Sequence, residues 1–560
     1  MSAHDTIKLR FDNGITQECP ARTTLKEILP SPTAPNGRPY IAALVNNDTT
    51  SLSYPVEMDS DIKLLTMADP PGWHVFQRSL AFLLAKAVKE LYPQAGFSVD
   101  YAVGDGLFCS FEPTVGEHNG GITREQVDAI REHVRLLIAR KLPIERQKIS
   151  FEDVSRRLAE AQQTDKLNLL RFRNPPRVVL HVCDGFYDLA QGALVPNTGA
   201  LDLFELIHFP PGFILQLPEP GNCTQVAPFR ELPHLSSIFR ERKEWVRTMG
   251  VGTVGRLNEI VVNGDISDFI KVSEALHEKN VARIADEILR RREAVRIILV
   301  AGPSSSGKTT FAKRLAIQLR VNSFRVFTIS LDNYFHEHAQ TPRDENGNPD
   351  FEHINALDLE LFNHHMEQIS QGEEIELPEF NFETKLREYN GKKLKLEKGD
   401  LLIIEGIHGL NPLLTAMVPE SAKFRIYVSA LTQLSLDANN RISTTDNRLI
   451  RRMVRDHKYR AHSAIKTLRM WASVRKGEKQ WIFPFQENAD ATFNSALDYE
   501  LAVLKPIAEP LLMEVKPFDP EYAEARRLTA FLINFIGISD REVPNTSMLR
   551  EYIGRSSFKY

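Results

Sequence analysis

Cysteine is scarce in this chain. Its four residues, Cys19, Cys109, Cys183 and Cys223, stand far apart and form no C-x-x-C pair. A disulfide framework is therefore not expected, and a reducing compartment is. Long apolar runs are missing too: none approaches the roughly 18 residues needed to cross a bilayer, so no membrane partner is expected. Positive charge is not in excess. Lys and Arg number 69 against 73 Asp and Glu, a formal net charge of −4. That balance gives no global drive toward nucleic acid or anionic lipid and leaves room only for a local basic patch. Met1-Ser2-Ala3-His4-Asp5 lacks the charged-then-apolar pattern of a secretory leader, and a cytoplasmic protein is expected. No internal repeat or low-complexity tract is visible. What is present is ordinary: 42% hydrophobic and 25% charged residues over 560 positions, enough for roughly three or four domains with buried cores.

Against this background one segment stands out. Gly302-Pro303-Ser304-Ser305-Ser306-Gly307-Lys308-Thr309 fits G-x-x-x-x-G-K-[ST], a loop that cradles phosphate groups. The apolar run Val295–Ala301 before it suits a buried strand. Phe311, Leu315 and Leu319 after it recur every four residues, as on one face of a helix. Gly302 and Gly307 let the backbone pass close to phosphate oxygens. Ser304, Ser305, Ser306, Lys308, Thr309 and Thr310 then surround a helix start, where free N–H groups favour anions. Lys308 would reach the outer phosphates of ATP, and the Thr309 hydroxyl would hold Mg²⁺. A plain Gly/Ser turn is the alternative.

From residue 291 onward, strand-like and helix-like patterns alternate. Arg325–Leu331, Asp400–Glu405 and Phe424–Val428 are further apolar strands, which implies an α/β fold with a parallel sheet flanked by helices. Active residues should lie beyond the carboxyl ends of such strands. Asp332 follows one strand and could take a proton from an acceptor hydroxyl; an Asx-turn is the alternative. Glu405 ends another and could hold Mg²⁺; a cap or turn residue is the alternative. Arg448, Arg451, Arg452, Arg455, Lys458 and Arg460 form a basic run with Asp446 and Asp456 as nearby acids. It reads either as a solvated helix face or as an arginine lid over transferring phosphate, with Arg451 and Arg455 in catalytic roles.

The N-terminal half divides differently. Residues 1–68 alternate short strands and turns, from Ile7–Phe11 through Tyr40–Val45 to Ile62–Leu65, with Thr24 as a helix cap. This stretch resembles the TGS domain, a β-grasp module of threonyl-tRNA synthetases. Residues 69–215 carry helical patterns at Phe76–Leu91 and Val127–Ala139. With Asp105-Gly106-Leu107-Phe108 and Cys183-Asp184-Gly185, they resemble the second additional domain of threonyl- and alanyl-tRNA synthetases, an α+β editing module. At the positions of that module's zinc-site-like cluster this chain has Arg78, Phe82, Cys183 and Tyr187, so neither editing chemistry nor stoichiometric zinc is expected. Residues 216–290 read as a connector, 291–515 as the phosphate-loop domain and 516–560 as a C-terminal helical segment.

Residues 295–505 resemble the uridine kinase and phosphoribulokinase branch of the phosphate-loop kinases. The matching segments are the loop 302–310, Leu331–Phe335, Asp350–Asp358, Ile404–Ile407 and Asp446–Asp456. Nearly the whole chain resembles a bacterial family that fuses such a kinase behind the two synthetase-like domains. The resemblance implies ATP and Mg²⁺ as cofactors, a nucleoside acceptor and Asp332 as general base. It also implies an acceptor pocket of Tyr334, Phe351, Glu352, Phe380, Lys385 and Arg448, and a homo-oligomer. Lys385 stands where uridine kinases place a base-reading histidine. As a pure donor it would favour the O4 carbonyl of uridine over the amino group of cytidine. The competing reading is an ATP-switched protein that binds tRNA through its synthetase-like domains.

Overall fold

The computed structural model describes residues 6–113, 121–222, 224–231, 245–246, 248–337, 340–345, 347–381, 384, 386–432 and 434–559. Cys223 and Lys385 lie outside the described residues.

The first sheet joins β1 (Thr6–Phe11), β2 (Thr16–Pro20), β3 (Ala42–Val45), β4 (Asp48–Ser51) and β5 (Ser60–Leu65) in the order β2-β1-β5-β3-β4. In β1 the strict alternation of Ile7, Leu9 and Phe11 with Thr6, Lys8 and Arg10 puts every second side chain into the core, as period-two patterning requires. Thr24 and Glu27 close a capped single turn of 3₁₀ helix after β2, the Thr24 amide donating to Glu27 at 2.9 Å.

A long helix, α1 (Pro70–Leu91), follows and buries Val75, Phe76, Leu80, Leu83, Leu84, Ala87 and Val88. It packs on α2 (Arg124–Ala139) and on the hairpin of β6 (Gly96–Val103) and β7 (Gly106–Glu112). Next come β8 (Glu145–Ser150), α3 (Phe151–Glu160), α4 (Thr164–Arg171), β9 (Arg177–Cys183), β10 (Phe186–Asp188), β11 (Glu205–Phe209) and β12 (Gly212–Gln216). They complete two antiparallel sheets, β10-β9-β8 and β11-β12-β7-β6. Cys183 sits in this core, and burial pushes its thiol up to about 11. Arg78 donates to the Ala193 carbonyl at 2.9 Å and Tyr187 to the Arg157 carbonyl at 2.7 Å. Among the described residues no group of three His, Cys, Asp or Glu side chains is placed to hold a metal ion.

The helices α5 (Val254–Asn263) and α6 (Ile266–Arg290) fall in the stretch read as a connector. Leu257, Phe269, Val281, Ile284 and Ile288 lock them into one core with the sheet that follows. The unit around that sheet runs through β13 (Ile297–Ala301), α7 (Lys308–Val321), β14 (Val326–Ser330), α8 (Leu359–Ser370), the separate hairpin β15 (Ile375–Asn381) and β16 (Leu386–Leu394), β17 (Leu401–Glu405), β18 (Lys423–Ser429), α9 (Thr444–Arg460), α10 (Ala464–Trp481) and β19 (Ala491–Asn494); the sheet itself has five strands. Its order is β14-β17-β13-β18-β19 and every pairing is parallel. β13 and β17 are buried at every position, as expected for parallel strands covered on both faces. The helices α11 (Glu500–Met513), α12 (Tyr522–Leu532) and α13 (Arg550–Ile553) follow and add Leu511, Leu528, Leu532 and Tyr552 to the same core, with Met548 just ahead of α13. Among the described residues no helix is long and apolar enough to cross a membrane.

The two halves meet through polar contacts. On the N-terminal side of the seam Lys166 pairs with Asp188 at 2.5 Å, both side chains nearly inaccessible. Asn439 donates to Asp188 at 2.6 Å, and the Ala438 amide donates to Asp165 at 2.7 Å. Asp437 lies beside them, its pKa raised by burial and lowered by Lys166, with a net rise to about 7. Removing Lys166 leaves carboxylates buried without their cation, a loss of about 3–5 kcal/mol for such pairs. Lys166→Ala is therefore expected to lower the chemical-denaturation midpoint clearly, while Lys148→Ala at an exposed position leaves it within error; equal midpoints would show that this latch does not hold the halves together.

Candidate active site

The loop between β13 and α7 begins at Gly302, where any Cβ would lie 2.0 Å from the Val428 carbonyl oxygen, and ends at Gly307, whose φ of 84° is left-handed. Between them Ser305 also takes a positive φ, 58°. The sequence supplies glycine where the turn crowds the neighbouring strand and where the backbone reverses into α7. The first turn of α7 begins here, where amides without helical partners favour an anion; the Thr310 amide in that turn donates to Glu551 at 3.4 Å.

Glu405 ends β17 beside Ser330, its partner in the β14 register. The Ser330 and Thr309 hydroxyls both donate to Glu405 Oε1, at 3.0 and 3.2 Å. Burial, reinforced by the nearby Asp332 charge, pushes the Glu405 carboxyl up to about 7. An acid held this way in a dry site fits a divalent cation, which would relieve that cost; Mg²⁺ in nucleotide sites uses few protein ligands and several phosphate and water oxygens. Lys308 donates to the Pro303 carbonyl at 3.2 Å, and burial lowers its ammonium pKa against the opposing pull of Glu405 and Asp332.

A cavity of about 1020 Å³ opens over these groups. Ser304, Ser305, Gly307, Lys308, Thr309, Asp332 and Glu405 line its floor, and Phe351, Glu352, Phe380, Arg452 and Arg455 its walls. Phe335 meets Phe351 and Phe380 edge to face, ring centroids 6.0 and 5.9 Å apart. Glu352 reaches the cavity because residue 477 is glycine: a Cβ there would lie 2.2 Å from that of Glu352. One Glu352 oxygen has no hydrogen-bond partner, and burial followed by the Glu478 charge pushes the carboxyl up to about 7.

Five residues expected at the site stand behind or beside this cavity instead. Ser306 and Thr310 are buried, and the Thr310 hydroxyl donates to Glu551 at 2.6 Å. Tyr334 is fully enclosed; its hydroxyl contacts His365 Nδ1 at 3.0 Å, and its ring packs on Phe362. The arginine run splits by face. Arg452 donates to the Ser304 hydroxyl at 2.8 Å and, with Arg455, faces the cavity. Arg448 and Arg451 are buried under the loop. Arg448 donates to the Ser304 carbonyl at 2.8 Å and pairs with Glu478. Arg451 donates to the Ser305 carbonyl at 3.3 Å and pairs with Glu500. Tyr552 adds a third bond, its hydroxyl donating to the Ser305 carbonyl at 3.0 Å. Sequence reasoning missed Glu478, Glu500, Glu551 and Tyr552. No motif marks them, and the only signal is a need for carboxylates to match so many arginines.

The family model described as Phosphoribulokinase / Uridine kinase family matches residues 297–502. Among curated proteins, the threonine–tRNA ligase of Porphyromonas gingivalis is 31% identical over 203 residues, 36% of this chain and 30% of that one. That of Desulforamulus reducens is 29% identical over 202 residues, 36% of this chain and 31% of that one. The chain thus spans about 30% of the length of the curated relatives it matches. Among solved structures, one described as a possible uridine kinase from Bacillus stearothermophilus is 20% identical and covers 39% of this chain and 98% of that one, with a TM-score of 0.27. A segment that matches the phosphoribulokinase and uridine kinase family model here follows a region similar to threonine–tRNA ligases.

Glu352 also makes a pH prediction. Its folded pKa is raised above the unfolded value, so its contribution to stability is fully present below about 4.5 and is lost as pH rises through about 7. Between pH 5 and 8 the ligand-free wild type should lose apparent Tm relative to Glu352→Gln; parallel curves would mean that the carboxyl is already ionised at pH 5.

Proposed function

We propose that the chain is an ATP-dependent phosphotransferase that phosphorylates the 5′-hydroxyl of a nucleoside, uridine or cytidine. The observation that carries the reading is convergence: the phosphate loop, two acids at strand ends, two arginines, an aromatic wall and an unpartnered Glu352 oxygen all border one cavity. The family match over residues 297–502 supports phosphoryl transfer.

In this reading the loop amides and Lys308 bind the phosphates of ATP. Arg452 and Arg455 oppose the charge spread over the transferring group. Thr309 and Glu405 hold Mg²⁺, which when bound neutralises phosphate charge. Asp332 accepts the proton of the acceptor hydroxyl as its oxygen attacks the γ-phosphate. The Glu352 carboxylate accepts hydrogen bonds from sugar hydroxyls, and Phe351 and Phe380 flank the base. Arg448 and Arg451 act as positioning residues that hold the loop carbonyls from behind.

Steady-state ADP release with ATP, Mg²⁺ and a panel of nucleosides tests the proposal. Release that depends on uridine or cytidine is expected; release with no nucleoside or with none above background would overturn it. Lys308→Ala should lose about 10²–10³ in kcat, the usual cost of one electrostatic contact to developing charge. Asp332→Asn should keep ATP binding and lose about 10²–10⁴ in kcat; retention of more than about a tenth would remove Asp332 as the base. A second reading, an ATP-switched RNA-binding protein, is favoured by the likeness to threonine–tRNA ligases. It predicts tRNA binding without nucleoside-dependent ADP release.

A further inference from the structure

A second cavity lies away from the kinase site. It has a volume of about 490 Å³, and α1, β8, β9, α12 and the edge of the first sheet enclose it. Its charge is one-sided: Arg78, Arg146, Arg173, Arg177, Arg526 and Arg527 line it against the two carboxylates of Asp48 and Glu524. Glu524 is already paired with Arg527 at 2.6 Å, and burial raises the pKa of the Asp48 carboxyl. Among the described residues Arg78, Arg146, Arg177 and Arg526 form no ion pair at contact distance. Arg78 is the most costly of them. Burial and the neighbouring Arg527 lower its pKa to about 10, and the chain gives its guanidinium a single backbone carbonyl. A half-buried guanidinium beside Arg527, offset only in part by Asp446, favours an anion.

His181 is the independent sign of a ligand. It is 2% exposed, lines the same cavity and has no hydrogen-bond partner on either ring nitrogen. Arg146 is its direct partner across the β8–β9 ladder, so both side chains leave the same face of the sheet. Burial together with Arg146 and Arg78 keeps the imidazole neutral, its pKa lowered to about 3. A neutral imidazole offers one donor and one acceptor, which suits a hydroxyl or a heterocycle edge next to an anionic group. Leu169, Leu170, Val178 and Leu189 supply an apolar wall.

From these contacts we infer that the cavity is a binding site for a phosphate-bearing small molecule of mononucleotide size, its phosphate on Arg146, Arg177 and Arg526 and its polar ring or sugar on His181. Guanidinium groups bind phosphate bidentately, and the volume lies in the range of small-molecule sites. The inference does not depend on the reaction at the kinase site. Arg78 and Arg527 also border a smaller neighbouring cavity of about 140 Å³ that reaches Ser443 and Asp446. Arg527 pairs with Asp446 at 2.7 Å, in the first turn of the helix that carries Arg448, Arg451 and Arg452.

Isothermal titration calorimetry of the full chain with inorganic pyrophosphate, AMP, UMP and CTP in magnesium-free buffer tests the assignment, with Arg146→Ser/Arg526→Ser and His181→Leu as variants. Arg526 is exposed and Arg146 half-buried, so the double variant should fold, as circular dichroism would verify. At least one probe should bind the wild type about tenfold or more tightly than the double variant, the loss expected for charge-assisted contacts. His181→Leu should weaken the nucleotides and spare pyrophosphate. Equal affinities of wild type and double variant for all four probes would overturn the assignment. So would binding of deacylated tRNA that the double variant loses while no small probe distinguishes the two proteins.

Discussion

The carbonyl oxygens of Ser304 and Ser305 are held by buried guanidinium groups, and the site depends on that bracing. The Ser304 and Ser305 carbonyls of the phosphate loop point back into the protein and need donors there. Arg448 and Arg451 supply them. Each arginine would be prohibitive to bury alone, and each is matched by a glutamate, Glu478 or Glu500. Glu478 also accepts from the Ser304 amide at 3.0 Å, so one carboxylate ties the loop, α9 and α10 together.

This bracing explains why the C-terminal segment belongs to the site. Tyr552 and Glu551 reach the loop and the first turn of α7 from a short helix more than 240 residues away in sequence. Gly307 is also held from that side, since a Cβ there would lie 2.8 Å from the Met548 methyl group. Loop geometry is thereby over-determined by α9, α10, α11 and α13. Such redundancy is what pre-organised binding of a polyanion needs. The same α9 is tied to α12 through Asp446 and Arg527, and Arg527 also lines the arginine-rich cavity between β9 and α12.

Within the phosphate-loop cavity the acids divide by environment. Glu405 is satisfied by two hydroxyls and sits low against the sheet. Glu352 has an unpartnered oxygen on the wall that carries the aromatic rings. The first suits a cation and the second suits donors such as sugar hydroxyls. Gly477 matters here as much as any charged residue, because only its missing side chain lets Glu352 stand where it does.

Much of this was legible in the sequence. The alternation of apolar strands and helices gave the parallel sheet, because fully buried strands must be continuously apolar. The G-x-x-x-x-G-K-T run and the acids Asp332 and Glu405 could be read at the strand ends, because chain order alone puts them at one edge of such a sheet. Tertiary structure decided what chain order leaves open. A run of arginines reads the same whether its side chains face solvent, ligand or core; only the elements packed on α9 sent Arg448 and Arg451 under the loop and left Arg452 and Arg455 in the cavity. Tyr334 reads as a pocket residue beside Asp332, yet a one-turn 3₁₀ helix rotates it into the core with His365. The partners Glu478, Glu500, Glu551 and Tyr552 were invisible because long-range pairing leaves no local period or motif; only the folded packing brings Glu478 and Glu500 to the arginines they neutralise, Glu551 to the Thr310 hydroxyl and Tyr552 to the loop.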